Sequence, residues 1–232
     1  MSKTLEKLRE IKSLPIFPLP MVLMPNELMP LHIFEERYRT MLSDVAGSNN
    51  FFGINMFEPE DQFVTRPEIG SVGCIAEIRD RQTMDDGRSN IITLGGARYR
   101  LVDYLDTPSP YLVAEVEFFE DDPEDPAVVD PLADEVFTIF ERIAKAAFEM
   151  SGSRGRFPEI TRTDPESFSF LTAAAFNFEN DHKYRLIEMT STTVRLEELK
   201  RILSAAVVRM EENAGIKKAA QTNGHSHKKL DI

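Results

Sequence analysis

The hydrophobic period changes once along this chain, and that change restricts the fold more than any other feature. From Leu14 to about Glu120 the apolar residues come in short runs rich in branched and aromatic side chains, separated by Pro, Gly and Asn. Runs of this kind form strands. In "VGCIAEIR" Val72, Cys74, Ala76 and Ile78 alternate with Gly73, Ile75, Glu77 and Arg79, and in "YLVAEVEFF" Leu112, Ala114, Val116 and Phe118 alternate likewise. Each set is expected to face a core. "MDDGRSN" carries the Asp-Gly signature of a hairpin, and Gly95-Gly96 in "IITLGGARYRL" predicts a bulge that bends the sheet. Short, mostly antiparallel strands with bulges imply a closed or partly closed barrel.

Beyond about residue 120 the period is helical. Asp130-Pro131 and Asp164-Pro165 each pair an N-cap with a Pro at the first helical position, so two helix starts are expected there. The first helix should carry a stripe of Leu132, Val136, Ile139, Ile143 and Met150, ending at Gly152; the second should carry Phe168, Leu171, Ala175 and Phe178. In the last helix Leu196, Leu199, Leu203, Ala206 and Met210 share a face, with Glu197 and Arg201 placed to pair outside it. The fold class is therefore α+β. Residues 1–13 are expected to form an N-terminal extension, 14–120 the barrel with one inserted helix, 121–130 an acidic linker, 131–212 a C-terminal helical bundle and 213–232 a disordered tail.

Charge narrows the partners. The chain of 232 residues has a formal net charge of −12, and residues 101–141 contain no Lys or Arg. Phosphate backbones and anionic membranes would repel it, so neither nucleic acid nor membrane is an expected partner. The apolar runs are broken well short of the ~20 residues a spanning helix needs. A lone cysteine, Cys74, excludes an internal disulfide and suits a reducing compartment, so the expected location is the cytoplasm. On its alternating strand Cys74 reads as a buried structural thiol.

Known catalytic patterns are missing. No two of the eleven glycines lie five positions apart, which rules out a Walker phosphate loop, and "SGSRG" at 151–155 fails the serine-elbow pattern. His182 lacks a second His four residues away, and His225 and His227 read as part of a solvated tail. No catalytic residue, cofactor or metal site is expected. In "MPLHIFEERYRTML" a helix starting near Phe34 would put Phe34, Tyr38, Met41, Leu42 and Val45 on one apolar face and pair Glu35 with Arg39. His32 then sits at a strand end as a hydrogen-bonded structural imidazole.

The same stretch carries a family resemblance. "LPIFPLPMVLMPNELMPLHIFEERYRTML" at 14–42 resembles the opening of the N-terminal domain of Lon proteases, with Pro18, Leu19, Pro25, Leu31, Phe34, Glu35, Arg37 and Tyr38 among the matching positions. "EIGSVGCIAEI", "GGARYRL" and the segment from Asp164 to Leu203 resemble later parts of that domain. The resemblance implies a PUA-like pseudo-barrel followed by a helical bundle, in a stand-alone bacterial or plastid protein without ATPase or peptidase modules. It also implies that these motif residues are structural.

The function expected on this footing is non-catalytic binding of polypeptide segments in protein quality control. Flexible apolar side chains suit such a role, and the candidates are Met21, Met24, Met29, Phe51, Phe52, Met56, Phe57 and Phe63. At least half of them are expected to be core instead. The rivals are an adaptor that docks on a separate protease or ATPase through the acidic linker or the bundle, and a small-molecule-binding protein or enzyme using a barrel pocket.

Overall fold

The computed structural model describes residues 8, 10–59, 65–151 and 156–223, with side chains through residue 210. Among them are six strands: β1 (Ser13–Leu19), β2 (Leu28–Ile33), β3 (Phe51–Met56), β4 (Val72–Thr83), β5 (Ser89–Leu105) and β6 (Leu112–Phe119). Five helices accompany them: α1 (Glu36–Ala46), α2 (Pro126–Met150), α3 (Pro165–Ala175), α4 (Asn180–Glu188) and α5 (Thr192–Asn223). The described residues fall into two compact units. One holds those up to Asp122 together with Phe170–Thr190; the other holds Pro123–Ser169 and those from Ser191 onward.

In the first unit the strand order is β2-β5-β4-β3-β1-β6, and β5 also pairs with β6. Five strands thereby close into a ring and β2 is left outside as an edge strand, paired only to the first half of β5. All pairings are antiparallel except β1 with β3. Closure requires β5 to bend, and it does so at the expected bulge: Cys74 faces Arg98 while Ala76 faces Gly95. Gly95 donates its N–H to the Glu27 carbonyl (2.8 Å) and accepts the Asn26 N–H (2.9 Å). A Cβ at Gly95 would overlap the Met24 carbonyl oxygen, so the close approach of the two backbones requires glycine. The hairpin between β4 and β5 turns at Gly87, whose φ is +81°.

Leu8, from the stretch read as an extension, is buried in the barrel core with Leu14, Ile16, Ile75, Leu101 and Ala114. Tyr99 crosses that core and donates to Asn55 Oδ1 (2.5 Å), and Asn55 in turn donates to Ser71 Oγ (3.2 Å). On β6 the alternation holds, with Ala114 and Val116 buried and Glu115 and Glu117 exposed. On β4 it fails. Val72 to Ala76 are all buried, because β4 lies between β3 and β5 while α4 packs against it and Tyr184 Oη accepts the Val72 N–H (2.9 Å). Cys74 is buried as expected; its thiol donates to the Gly96 carbonyl (3.4 Å), and burial pushes its pKa up.

Arg98 ties α4 to the barrel. Its guanidinium donates to the carbonyls of Ile187 (3.0 Å) and Met189 (2.5 Å) and to Asp121 Oδ1 (2.5 Å). It also lies against the rings of Phe119 and Phe170. This is why Phe170–Thr190 belongs with the barrel and not, as a serial domain division would have it, with the helices around it.

In the second unit α2 packs on α5. Helix α2 begins five residues earlier than expected: Asp125 caps it by accepting the Ala127 N–H (2.9 Å), and Pro131 falls inside the helix. "EDPAVVDPLA" contains the Asp-Pro start twice, and the earlier copy gives a longer apolar face, burying Val129 and Ala133 with Val136, Ile143 and Ala146. The cap at Asp164 stands, accepting the Ser167 N–H (2.9 Å), but α3 ends at Ala175 and leaves Phe178 beyond it. Its buried residues are Phe168, Ser169, Phe170, Thr172 and Ala173, not Leu171 and Ala175.

On α5 the buried apolar positions are Leu196, Leu199, Leu203 and Val207, the last replacing Ala206, and Thr192 and Arg195 are buried with them. Arg201 pairs with Glu198 (2.8 Å), not Glu197. The helix continues to Asn223, so the tail expected from 213 is helical over 213–223, a stretch rich in the helix formers Ala, Lys and Gln. His225 and His227 lie outside the described residues. The acidic linker is likewise corrected. Asp121 holds Arg98, Asp122 accepts from Thr190 Oγ1 (2.9 Å), Glu124 accepts the Thr193 N–H (3.0 Å) and hydroxyl, and 126–130 are the first turns of α2.

Candidate functional site

The leading motif builds a groove. The end of β1 supplies Phe17, Pro18 and Leu19, β2 supplies Leu31 and His32, and α1 with its approach supplies Phe34, Glu35, Arg37 and Tyr38. Pro110 and Tyr111 form a further part of the wall, and the enclosed volume is about 530 Å³. Phe17 and Tyr38 are packed ring on ring, 4.1 Å between centroids, and Phe17 also rests on Phe52 at 6.2 Å. Tyr111 is fixed by donating to Asp44 Oδ2 of α1 (2.7 Å). Phe57 is placed by its own N–H, which bonds the Leu19 carbonyl (2.8 Å). The groove therefore has an aromatic lining on rigid elements, the usual make-up of a site that takes an apolar ligand.

Its ionisable side chains already have partners. His32 Nδ1 meets Asn90 Oδ1 (2.7 Å), and the imidazole stacks beside the Phe34 ring. Glu35 accepts from Arg37 (2.9 Å), whose guanidinium also lies over Tyr38. The expected Glu35–Arg39 pair is replaced, because α1 starts at Glu36 and Glu35 sits at its extended N-cap position. Phe34 is likewise off the helix and 61 % exposed, not on its apolar face. Neither His32 nor Glu35 is aimed at the other, so the pair is not set for proton transfer.

A second groove, of about 590 Å³, lies on the same unit and is lined by Met56, Phe57, Pro67 and Tyr184 together with Glu58, Arg66, Glu68, Ser71 and Asp181. Arg66 stacks on Tyr104 at 4.2 Å, and Tyr104 Oη donates to the Pro67 carbonyl (2.8 Å). Phe57 lines both grooves.

The sequence candidates divide accordingly. Met24, Met29 and Phe52 are buried, a correction with a simple cause: Met29 and Phe52 are inward positions of β2 and β3, and Met24 lies under the backbone of Gly95. Phe51 is partly buried against the barrel core. Met56 and Phe57 line grooves, Met21 is 37 % exposed, and Phe63 lies outside the described residues. Of the motif residues read as structural, only Pro25 is a buried turn residue; Pro18, Leu19, Leu31, Phe34, Glu35, Arg37 and Tyr38 all face the first groove. Sequence reasoning missed Tyr111, Glu58, Arg66, Glu68, Asp181 and Tyr184, which no local pattern connects. Among the described residues, no group of three or more His, Cys, Asp or Glu side chains is placed to share a metal. No helix among them is long and apolar enough to cross a membrane.

The groove thus lies on a closed barrel and is built largely by one continuous motif. The chain belongs to the family described as the ATP-dependent protease La (LON) substrate-binding domain, whose pattern matches residues 13–205. It is 23 % identical over 196 residues to Lon protease 2 of Herpetosiphon aurantiacus, covering 84 % of this chain and 24 % of that protein. It is 22 % identical over 204 residues to the Lon protease of Desulfosudis oleivorans, covering 87 % of this chain and 24 % of that protein. The chain thus spans about a quarter of the length of these relatives.

Solved structures agree on the fold. A crystal structure of a Lon N-terminal domain protein from Xanthomonas campestris matches with a TM-score of 0.57 at 24 % identity, covering 82 % of this chain and 97 % of that one. The N-terminal domain of a Mycobacterium avium complex Lon protease matches with a TM-score of 0.61 at 19 % identity, covering 83 % and 98 %.

Proposed function

We propose that this chain is a cytoplasmic, non-catalytic module that holds apolar segments of client polypeptides, in the manner its family description implies for Lon substrates. One observation carries the reading: all the named motif residues except Pro25 converge on a single aromatic groove of about 530 Å³. A lining whose one acid, Glu35, is paired with its one guanidinium, Arg37, inside a chain of net charge −12, favours an apolar ligand over a phosphate-rich one. We read the barrel as PUA-like, and the α2–α5 pair as the centre of a helical bundle.

The test is Met56→Asp with Phe57→Asp in the full chain, assayed for capture of a reduced, carboxymethylated client. Both side chains are only partly buried, so capture should fall about tenfold or more while Tm changes by a few degrees. Unchanged capture, or a collapse of Tm, would reject the assignment.

A further inference from the structure

The two grooves differ in charge and share a wall. In the first, the lining acid Glu35 is neutralised by the lining base Arg37. In the second, three exposed carboxylates, those of Glu58, Glu68 and Asp181, face a single base, Arg66, whose guanidinium lies on the Tyr104 ring. Phe57, its backbone N–H held by the Leu19 carbonyl, is the residue that lines both. An extended segment lying across Phe57 would meet aromatic surface on one side and unbalanced negative charge on the other.

Resting on the reading above, we propose that the two grooves form one track joined at Phe57, and that its occupant is an extended polypeptide with an apolar stretch flanked by Lys or Arg. The aromatic groove takes the apolar side chains. The second groove takes the stems of the flanking basic residues against Met56, Pro67 and Tyr184 and their charged heads among the carboxylates. Solvent-exposed ion pairs are individually weak, so the charge sets a preference among clients and not the bulk of the affinity.

The probe is a fluorescein-labelled peptide carrying Leu-Phe-Leu followed by Ala-Lys-Ala-Lys, compared with versions in which both lysines are Gln or Glu, by anisotropy at low salt. The full chain should bind the Lys form about fivefold tighter than the Gln form and bind the Glu form weakest, with the ranking fading as salt is raised. In the triple variant Glu58→Gln, Glu68→Gln, Asp181→Asn the ranking should vanish, the three peptides binding within about twofold of one another. These carboxylates are exposed, so the variant should keep its Tm. Phe57→Ala should weaken all three peptides. If the Gln form binds but no ranking is seen, or the ranking survives in the triple variant, the track is wrong and the apolar groove stands. If no peptide binds, both readings fall.

Discussion

The segments 120–125 and 31–38 are both dense in charge, yet the structure uses their charges in opposite ways. In the first, the carboxylates turn inward or close local contacts: Asp121 on Arg98, Asp122 on Thr190, Glu124 on Thr193 and Asp125 on the start of α2. In the second, Glu35 and Arg37 bond each other at the surface and leave Phe34 bare beside them. A run of acids without any base in sequence looks like a solvated linker, and a motif of mixed charge looks like solvated helix. The partners available in space decide otherwise. The acidic segment holds structure together, and the mixed one borders an open apolar groove.

The contrast is broken most severely at Arg98. Arg98→Ala would take the guanidinium away from the 96 %-buried carboxylate of Asp121 and from two carbonyls at the α4 end. Removing one partner of a buried ion pair costs about 3–5 kcal/mol, a large part of the stability of a domain this size. Urea unfolding should show that loss. A change under about 1 kcal/mol would mean that water replaces the guanidinium and that the acidic segment is less structural than its geometry indicates. For the same reason, neutralising Asp121, Asp122, Glu124 and Asp125 together would unfold the chain before it reported on an adaptor surface.

A smaller effect separates Asp125 from Asp130. Only Asp125 accepts a helical N–H, so Asp125→Ala should cost about 1 kcal/mol, whereas Asp130→Ala, at an exposed position within α2, should fall within about 0.5 kcal/mol of zero. Equal losses would place the working cap where the sequence suggested it. This pair also shows where sequence reading stops. The period-two run of β6, the Asp-Gly hairpin, the bulge at Gly95 and the cap at Asp164 were legible, because each depends on neighbours in the chain. Which of two identical Asp-Pro starts is used depends on how much apolar face each start buries, and that is a tertiary quantity. The motif was legible as a family mark, but its role was not: Phe34 and Tyr38 look alike on a helical projection, and only the start of α1 at Glu36 separates an exposed ring from a buried one. Glu58, Glu68 and Asp181 were out of reach for a plainer reason, since more than a hundred residues separate the last from the other two.

The smallest effect on stability is expected at Phe34, and it sharpens the comparison most. A side chain that is 61 % exposed and stacked only beside His32 contributes little to folding, so Phe34→Ser should shift unfolding by no more than about 0.5 kcal/mol. If the groove is the recognition surface, the same change removes an aromatic anchor from its mouth, and truncating such an anchor costs more than about 1 kcal/mol of binding. Stability and capture should therefore separate at this residue, the reverse of Arg98, where capture can be lost only because the fold is. A substantial loss of stability at Phe34 would show that the ring packs against the barrel. The mixed-charge segment would then be as structural as the acidic one, and the open groove would have to be assigned to Phe57 and Tyr111 alone.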